Sequence, residues 1–269
     1  MTIESVLEPL AKLSKDLREA AATLGDAEAR FLVDAYYMIQ EDRKRTFNQE
    51  RALSAGAEPH TVVSWFAAQN KHLEGQIAAA LDRYSAAKPE GIWARSQVGI
   101  GPIIAAGLLA NIDVTKTTTA TKLWRFAGYD PTCKWERGQK RPWNASLKVL
   151  GYKIGESFVK TCNNEKAFYG PIYAKRKALE NKRNDEGLNA ATAAAILKTK
   201  KFKTDTEAYK AYSIGRLPPA HIHARARRYA VKLFLSHYLE IAQRAHGITP
   251  QTPWIIALGG HADYIPPPP

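Results

Sequence analysis

The stretch VGIGPIIAAGLL, residues 98–109, places two glycines and a proline directly before an apolar segment. Gly99 and Gly101 can adopt backbone angles that a side chain disfavours, and Pro102 suits the first turn of a helix, where its missing N–H is not needed. The residues just before the turn have the character of the end of a short helix. We therefore predict a helix–hairpin–helix unit, with a new helix starting near Pro102 and Ile100 buried between the two helices.

This hairpin also offers backbone N–H groups to a ligand. The N–H groups of Gly99, Gly101 and Ile103 would form a small electropositive concavity that suits a phosphate. Nucleic-acid backbone is the expected source of that phosphate. The alternative is a helix turn that glycine merely stabilises, as in any all-α protein, because G-x-G alone is a weak signal.

The net charge of the chain is strongly positive and unevenly distributed. The 269 residues carry a formal charge of +13. Residues 1–100 contain 12 Lys and Arg against 14 Asp and Glu, a net of −2, whereas residues 101–269 contain 27 against 12, a net of +15. Such a field attracts phosphate polymers without specifying their sequence. We expect DNA as the partner, with RNA as the alternative.

Cysteine and histidine usage predicts neither a disulfide framework nor a metal site. The chain has two cysteines and seven scattered histidines, and His221-x-His223 lacks further residues at ligand spacing. No signal peptide and no apolar run of about 18 residues is found. We expect a cytoplasmic protein with no membrane partner, no metal and no cofactor.

Apolar residues recur at helical spacing along most of the chain, and no segment has a convincing strand period. We predict an all-α fold. The expected helices cover residues 3–24, 27–55, 59–86, 102 onward, 120–126, 145–160, 167–182 and 221–245, with helical pieces in the alanine- and lysine-rich segment 189–212.

Four regions follow from this pattern. Residues 1–88 would form a helical hairpin or coiled-coil arm, or else an ordinary bundle wall, and such an arm is a candidate for homo-oligomer formation. Residues 89–160 would hold the helix–hairpin–helix domain, 161–220 a basic insertion, and 221–269 a closing helix and a Pro-rich tail.

Two groups of cations are candidates for nucleic-acid contact. The first lies in a loop that also carries Trp135 and Trp143, and consists of Lys134, Arg137, Lys140 and Arg141. Cations with interleaved aromatic rings suit phosphates together with bases or sugars. The second group lies near the start of the late helix, where positive charge opposes the helix dipole, and consists of Arg225, Arg227 and Arg228. The alternatives are a solvated loop whose tryptophans anchor in the core, and a solvated basic helix face.

The order of these features resembles a known family. The hairpin at 99–102, the segment 123–131 ending in AGYDP, the basic loop and the arginine-rich helix are similar to the C-terminal domain of the DEDD-type insertion-sequence transposases. This is the IS one-ten group, which is related to the Piv DNA invertases. The resemblance is firmest over residues 92–160 and weaker at 221–245.

Proteins of that family have an N-terminal RuvC-like domain that binds metal through acidic residues, and their helical domain supplies a serine nucleophile. The resemblance implies that this chain corresponds to the helical domain. This chain begins at the arm, without a strand-rich acidic segment ahead of it. The Ser-Gly step of the family is replaced here by TCKWERG, residues 132–138, in which Glu136 or Arg137 stands at the serine position. Ser146, Cys133 and Thr132 are weak replacements as nucleophiles.

We therefore expect a transposase-related protein that holds duplex or branched DNA through its phosphates, without catalysis of its own. One alternative is a divergent transposase or recombinase subunit that performs strand exchange with a partner nuclease domain. A second is a structured-RNA-binding or assembly protein that dimerises through the arm.

Overall fold

The computed structural model describes residues 12–54, 61–251 and 264–269, and these residues confirm the predicted all-α fold. Within them there are eleven α-helices, one 3-10 helix and no strand. The α-helices are α1 (Lys15–Ala20), α2 (Asp26–Ser54), α3 (Thr61–Ala86), α4 (Pro89–Ser96), α5 (Pro102–Asn111), α6 (Ala120–Phe126), α7 (Ala145–Lys160), α8 (Tyr169–Asp185), α9 (Ala190–Thr199), α10 (Glu207–Ser213) and α11 (Pro219–Ala245).

The chain forms two compact units, and it passes between them more than once. Unit 1 comprises residues 1–95 and 101–113, and unit 2 comprises residues 96–100 and 114–269. The predicted hairpin is therefore divided, because Gly99 belongs to unit 2 whereas Gly101 belongs to unit 1.

Unit 1 is built on the hairpin of α2 and α3, with α5 packed against both helices. Its buried core draws small and large apolar side chains from all three helices: Ala29, Val33, Leu81, Tyr84, Ala106, Leu109 and Ala110. The close packing of α4 depends on Gly91, where a Cβ atom would lie 2.9 Å from Leu109 Cδ1. The arm helices thus share one core with the helix that follows the hairpin.

The first predicted helix is wrong in part. Residues 3–11 lie outside the described residues, and between 12 and 24 the chain forms only α1 and the 3-10 helix Ala21–Thr23. The hydroxyl of Ser14 accepts a hydrogen bond from the N–H of Leu17 at 3.2 Å, so Ser14 caps α1 and the helix starts at Lys15. The apolar spacing of this segment did not show that cap. Residues 55 and 59–60 of the next two predicted helices, and 252–263 of the predicted tail, also lie outside the described residues.

Unit 2 is organised around α11, which packs against α6, α7 and α8. Its aromatic core joins three helices. The rings of Phe158 and Tyr169 stack at 4.9 Å, and Phe234 meets them edge-on at 5.5 and 5.1 Å. Segment 189–212 contributes α9 and α10, whose Ala193 and Tyr212 pack in a separate small cluster.

Candidate nucleic-acid interface

The basic loop of residues 132–143 lies between α6 and α7, and its two ends are fixed by hydrogen bonds. After α6 the chain reverses at Gly128, which has φ +72°, and the N–H of Tyr129 donates to the carbonyl of Trp124 at 2.7 Å. At the other end, the N–H of Asn144 donates to the carbonyl of Phe126 at 2.8 Å. The Asn144 side chain then caps α7, because its Oδ1 accepts the N–H of Leu147. Hydrogen bonds to α6 and α7 therefore anchor both ends of the loop.

Each tryptophan of the loop is paired with a cation. The Lys148 ammonium lies 3.9 Å from the ring centroid of Trp143, and the Arg141 guanidinium lies 5.5 Å from that of Trp135. These four side chains surround a cavity of about 420 Å³. Burial, followed by the charge of Arg141, lowers the pKa of Lys148. The indole of Trp135 also donates to the carbonyl of Gln139 at 2.7 Å, although the residue remains 39% exposed.

The cations of the loop are exposed. Lys134, Arg137, Lys140 and Arg141 make no ion pair with any residue of the part of the chain that the structure describes. An unpaired surface cation keeps its charge available to an anion from outside. Lys148 joins this group although sequence reasoning missed it, because only the fold brings α7 back beside the tryptophans.

Two of the predicted arginines of α11 have partners inside the protein. Arg225 Nε lies 3.2 Å from Glu180 Oε2, and Arg225 Nη1 donates to Asn189 Oδ1 at 3.1 Å. Arg227 pairs with Glu156, and its guanidinium lies 4.2 Å from the ring centroid of Tyr152. Two of the three predicted arginines of this helix, Arg225 and Arg227, therefore have anionic partners within the protein.

Arg228 differs from these neighbours. Within the described residues Arg228 makes no ion pair, and the residue as a whole is exposed to solvent. Partial burial of its guanidinium, followed by the charges of Arg225 and Arg227, lowers its pKa. Of the predicted α11 group, Arg228 is the arginine that retains a charge without an anion beside it.

Glu180 is the buried anion that organises the basic ends of α8 and α11. Its side chain is fully buried, and Arg176 lies 2.6 Å, Arg225 3.2 Å and Arg183 4.0 Å from its carboxylate oxygens. Three cations around one carboxylate leave excess positive charge at this surface. The sequence did not single out Glu180, because nothing local distinguishes it from an exposed helix glutamate.

The two glycines of the hairpin have different roles. Gly99 has φ +96°, and its carbonyl accepts a hydrogen bond from Ser157 Oγ at 2.5 Å. A Cβ atom there would lie 2.7 Å from Ser157 Oγ, so any side chain at this position is disfavoured. Gly101 has φ −92° and ψ 176°, which any residue adopts, so the expectation of a special backbone angle there is wrong.

The helix start predicted at Pro102 is confirmed, with Gly101 as its N-cap, and Ile100 is buried. The N–H groups of Gly99, Gly101 and Ile103 donate no hydrogen bond to the described residues. Phosphate binding by these groups stays a prediction.

Within the described residues, the weak nucleophile candidates Ser146 and Cys133 make no hydrogen bond to a base, although Lys148 is close enough to Cys133 to interact with it electrostatically. Ser146 is exposed in the first turn of α7, and Cys133 is half-buried with a free thiol. Thr132 donates its hydroxyl to Asp130 Oδ1 at 2.7 Å, within an Asx turn that shapes the start of the loop.

The histidines of α11 are bound to tyrosines. His221 Nδ1 contacts the Tyr212 hydroxyl at 3.0 Å, and His223 Nδ1 contacts the Tyr173 hydroxyl at 2.7 Å. Burial lowers the pKa of both imidazoles. Across residues 12–54, 61–251 and 264–269, no three His, Cys, Asp or Glu side chains are grouped to hold a metal, and no helix could cross a membrane.

No family model, curated protein or solved structure matches this chain.

Proposed function

We propose that unit 2 is a DNA-binding module, related to the transposase domain that the sequence resembles, and that the loop of residues 132–143 holds duplex or branched DNA by its phosphates. The observation that carries this proposal is the group of exposed cations Lys134, Arg137, Lys140 and Arg141, which form no ion pair with the described residues and lie on a loop whose ends are hydrogen-bonded. Cations of this kind bind backbone phosphates irrespective of sequence.

The tryptophans support a nucleic acid over a simple polyanion. Trp135 is partly exposed, and the cavity beside Trp143 is bordered by cations. Aromatic rings next to phosphate-binding cations are typical of surfaces that contact unpaired bases or sugars as well as the backbone. Branched DNA offers both kinds of group, which favours it as a ligand.

The proposal assigns no strand cleavage to this chain. Attack on phosphorus needs an activated nucleophile, and activation needs an adjacent base or metal. Neither Ser146 nor Cys133 has a hydrogen-bonded base among the described residues. We therefore propose a binding role, with DNA positioned by the chain and not cut by it.

The test compares two variants of equal charge change in gel-shift titrations over a salt series. Reversing three loop charges, with Arg137→Glu, Lys140→Glu and Arg141→Glu, should weaken the binding of unrelated duplexes alike. If all three residues contact phosphates, the slope of log K against log salt should become shallower by about 2.7, since each contact contributes about 0.9. Running structured RNA in parallel distinguishes the two nucleic acids.

The control reverses three exposed lysines elsewhere in unit 2, Lys198, Lys200 and Lys201. It has the same net charge as the loop variant and should retain more of the parental affinity and slope. Equal losses in both variants would mean that only net charge matters. Unchanged affinity and slope in the loop variant would refute the assignment.

A further inference from the structure

A second cavity lies in unit 2, away from the loop and its tryptophans. It has a volume of about 370 Å³ and lies between α11, the start of α6 and the chain at 250–251 and 264–265. Cavities of about 300–1,000 Å³ with apolar walls and a few placed polar groups are typical of small-ligand sites. Its walls include three aromatic rings, those of Trp124, Tyr229 and Tyr264.

Lys232 places a positive charge at the wall of this cavity. Its ammonium lies 3.9 Å from the ring centroid of Trp124, and the Trp124 indole donates to the Lys232 carbonyl at 2.9 Å. No carboxylate among the described residues lies within ion-pair distance of the Lys232 ammonium. The charge of Asp130 acts on it only from a longer distance. Burial lowers the pKa of this lysine. A half-buried ammonium without an anion is costly unless an anion is supplied.

The carboxylate within the cavity is not available to Lys232. Glu240 accepts the hydroxyl of Tyr264 at 2.7 Å and pairs with Arg244 at 2.5 Å. The imidazole of His237 is also engaged on both sides. Its Nδ1 accepts the Tyr169 hydroxyl at 2.8 Å, and its Nε2 donates to the Ile265 carbonyl at 2.8 Å. No carboxylate of the described residues therefore balances Lys232.

A second cation lies along the same wall. The Arg176 guanidinium lies 4.7 Å from the ring centroid of Tyr229, and its charge is balanced by Glu180. Tyr229 itself is 37% exposed, so the residue is only partly covered by its neighbours. The cavity thus combines one unbalanced cation with aromatic walls.

We propose that this cavity binds a nucleotide, with the phosphate on Lys232 and the base against Trp124 and Tyr229. A free mononucleotide and an unpaired nucleotide within a strand both offer this combination of a phosphate and a base. The proposal does not depend on phosphate binding by the loop, because it uses different residues and a ligand as small as AMP.

The test is calorimetric titration of the full chain with AMP, adenosine and inorganic phosphate. AMP should bind more tightly than adenosine by roughly 10- to 100-fold, the range of a charge-assisted contact. Lys232→Met should remove that difference and leave adenosine unchanged. The matched control Lys175→Met removes an exposed lysine of α8 and should keep the preference for AMP.

A second variant keeps the charge and alters the wall. Tyr229→Ala should weaken AMP and adenosine by similar factors, because it removes a stacking surface and not the ammonium. Circular dichroism of each variant confirms that the helices are retained. If K232M and parent show the same ratio of AMP to adenosine affinity, the phosphate assignment is wrong.

Strand binding is tested by competition with duplexes that carry one unpaired nucleotide or an abasic site at that position. A preference for the unpaired nucleotide that K232M abolishes identifies the strand as the source, and saturable AMP binding identifies the free nucleotide. The loop variant R137E/K140E/R141E should keep AMP binding, so failure of the loop and failure of the cavity are separate results. No saturable AMP binding at millimolar concentration, together with no effect of K232M on the duplex preference, overturns the proposal.

Discussion

Replacing Glu180 by glutamine should destabilise unit 2, because three arginines would lose the carboxylate that they surround. Removing one partner of a fully buried ion pair costs about 3–5 kcal/mol. The side chains of Arg176, Arg225 and Arg183 are 26%, 30% and 44% exposed, so solvent screens part of the charge that is left. We therefore expect a loss of about 2–3 kcal/mol for Glu180→Gln. For a unit of this size that corresponds to roughly 5–10 °C in Tm.

A double-mutant cycle by scanning calorimetry measures the coupling directly. Glu180→Gln and Arg225→Met should couple by more than about 1 kcal/mol, since residues in direct contact are not additive. Glu207→Gln makes the same charge change at an exposed position of α10 and should cost less than about 0.5 kcal/mol.

The same variants separate a structural from a DNA-binding role for Arg225. If packing accounts for this arginine, Arg225→Met lowers the Tm and leaves DNA affinity close to that of the parent. Additive losses in the cycle, or a variant that weakens DNA binding without any loss of stability, would refute this reasoning.

Three further predictions concern backbone and protonation. Gly99→Ala should cost about 1–2 kcal/mol, because it forces a side chain to a positive φ, whereas Gly101→Ala should stay within about 0.5 kcal/mol of the parent in urea unfolding. Gly128→Ala should destabilise by about 1–2 kcal/mol and weaken DNA binding in gel shifts, because φ is +72° and its Cβ would lie 2.9 Å from Lys148 Cδ. Burial lowers the pKa of His237 below its ordinary 6.5, so the unfolded chain binds the proton more readily and the Tm should fall as the pH is lowered through 6.5. That dependence should weaken in His237→Gln and persist in Tyr169→Phe, which keeps the buried imidazole.

The sequence predicted several helices closely where the caps are local. Helices α6 and α7 have the predicted bounds, and their N-caps Thr119 and Asn144 each accept a hydrogen bond from a residue three positions along the chain. Such short-range contacts can be inferred from neighbouring residue types. At Ser14 the same kind of cap makes α1 start at Lys15, whereas the apolar spacing predicts an earlier start.

The sequence could not predict which cations form ion pairs within the protein and which remain able to bind an external anion. Arg225 and Arg227 belong to the same positive run as Arg228, yet their partners Glu180 and Glu156 are 45 and 71 residues away along the chain. Only the packing of α11 against α8 and α7 brings those carboxylates near. The position of the Lys232 ammonium depends on the same packing, because the ring that it contacts, Trp124, lies on α6.

The path of the chain between the two units has a consequence for folding during synthesis. The core of unit 1 includes Ala106, Leu109 and Ala110 of α5. These residues come later in the chain than residues 96–100, which belong to unit 2. A nascent chain that has reached only residue 95 therefore exposes the apolar face of α2 and α3 that α5 later covers. The arm gains its third helix only after residue 111 has left the ribosome. Truncated chains that end at residue 95 would keep that face exposed and should aggregate more readily than the full chain.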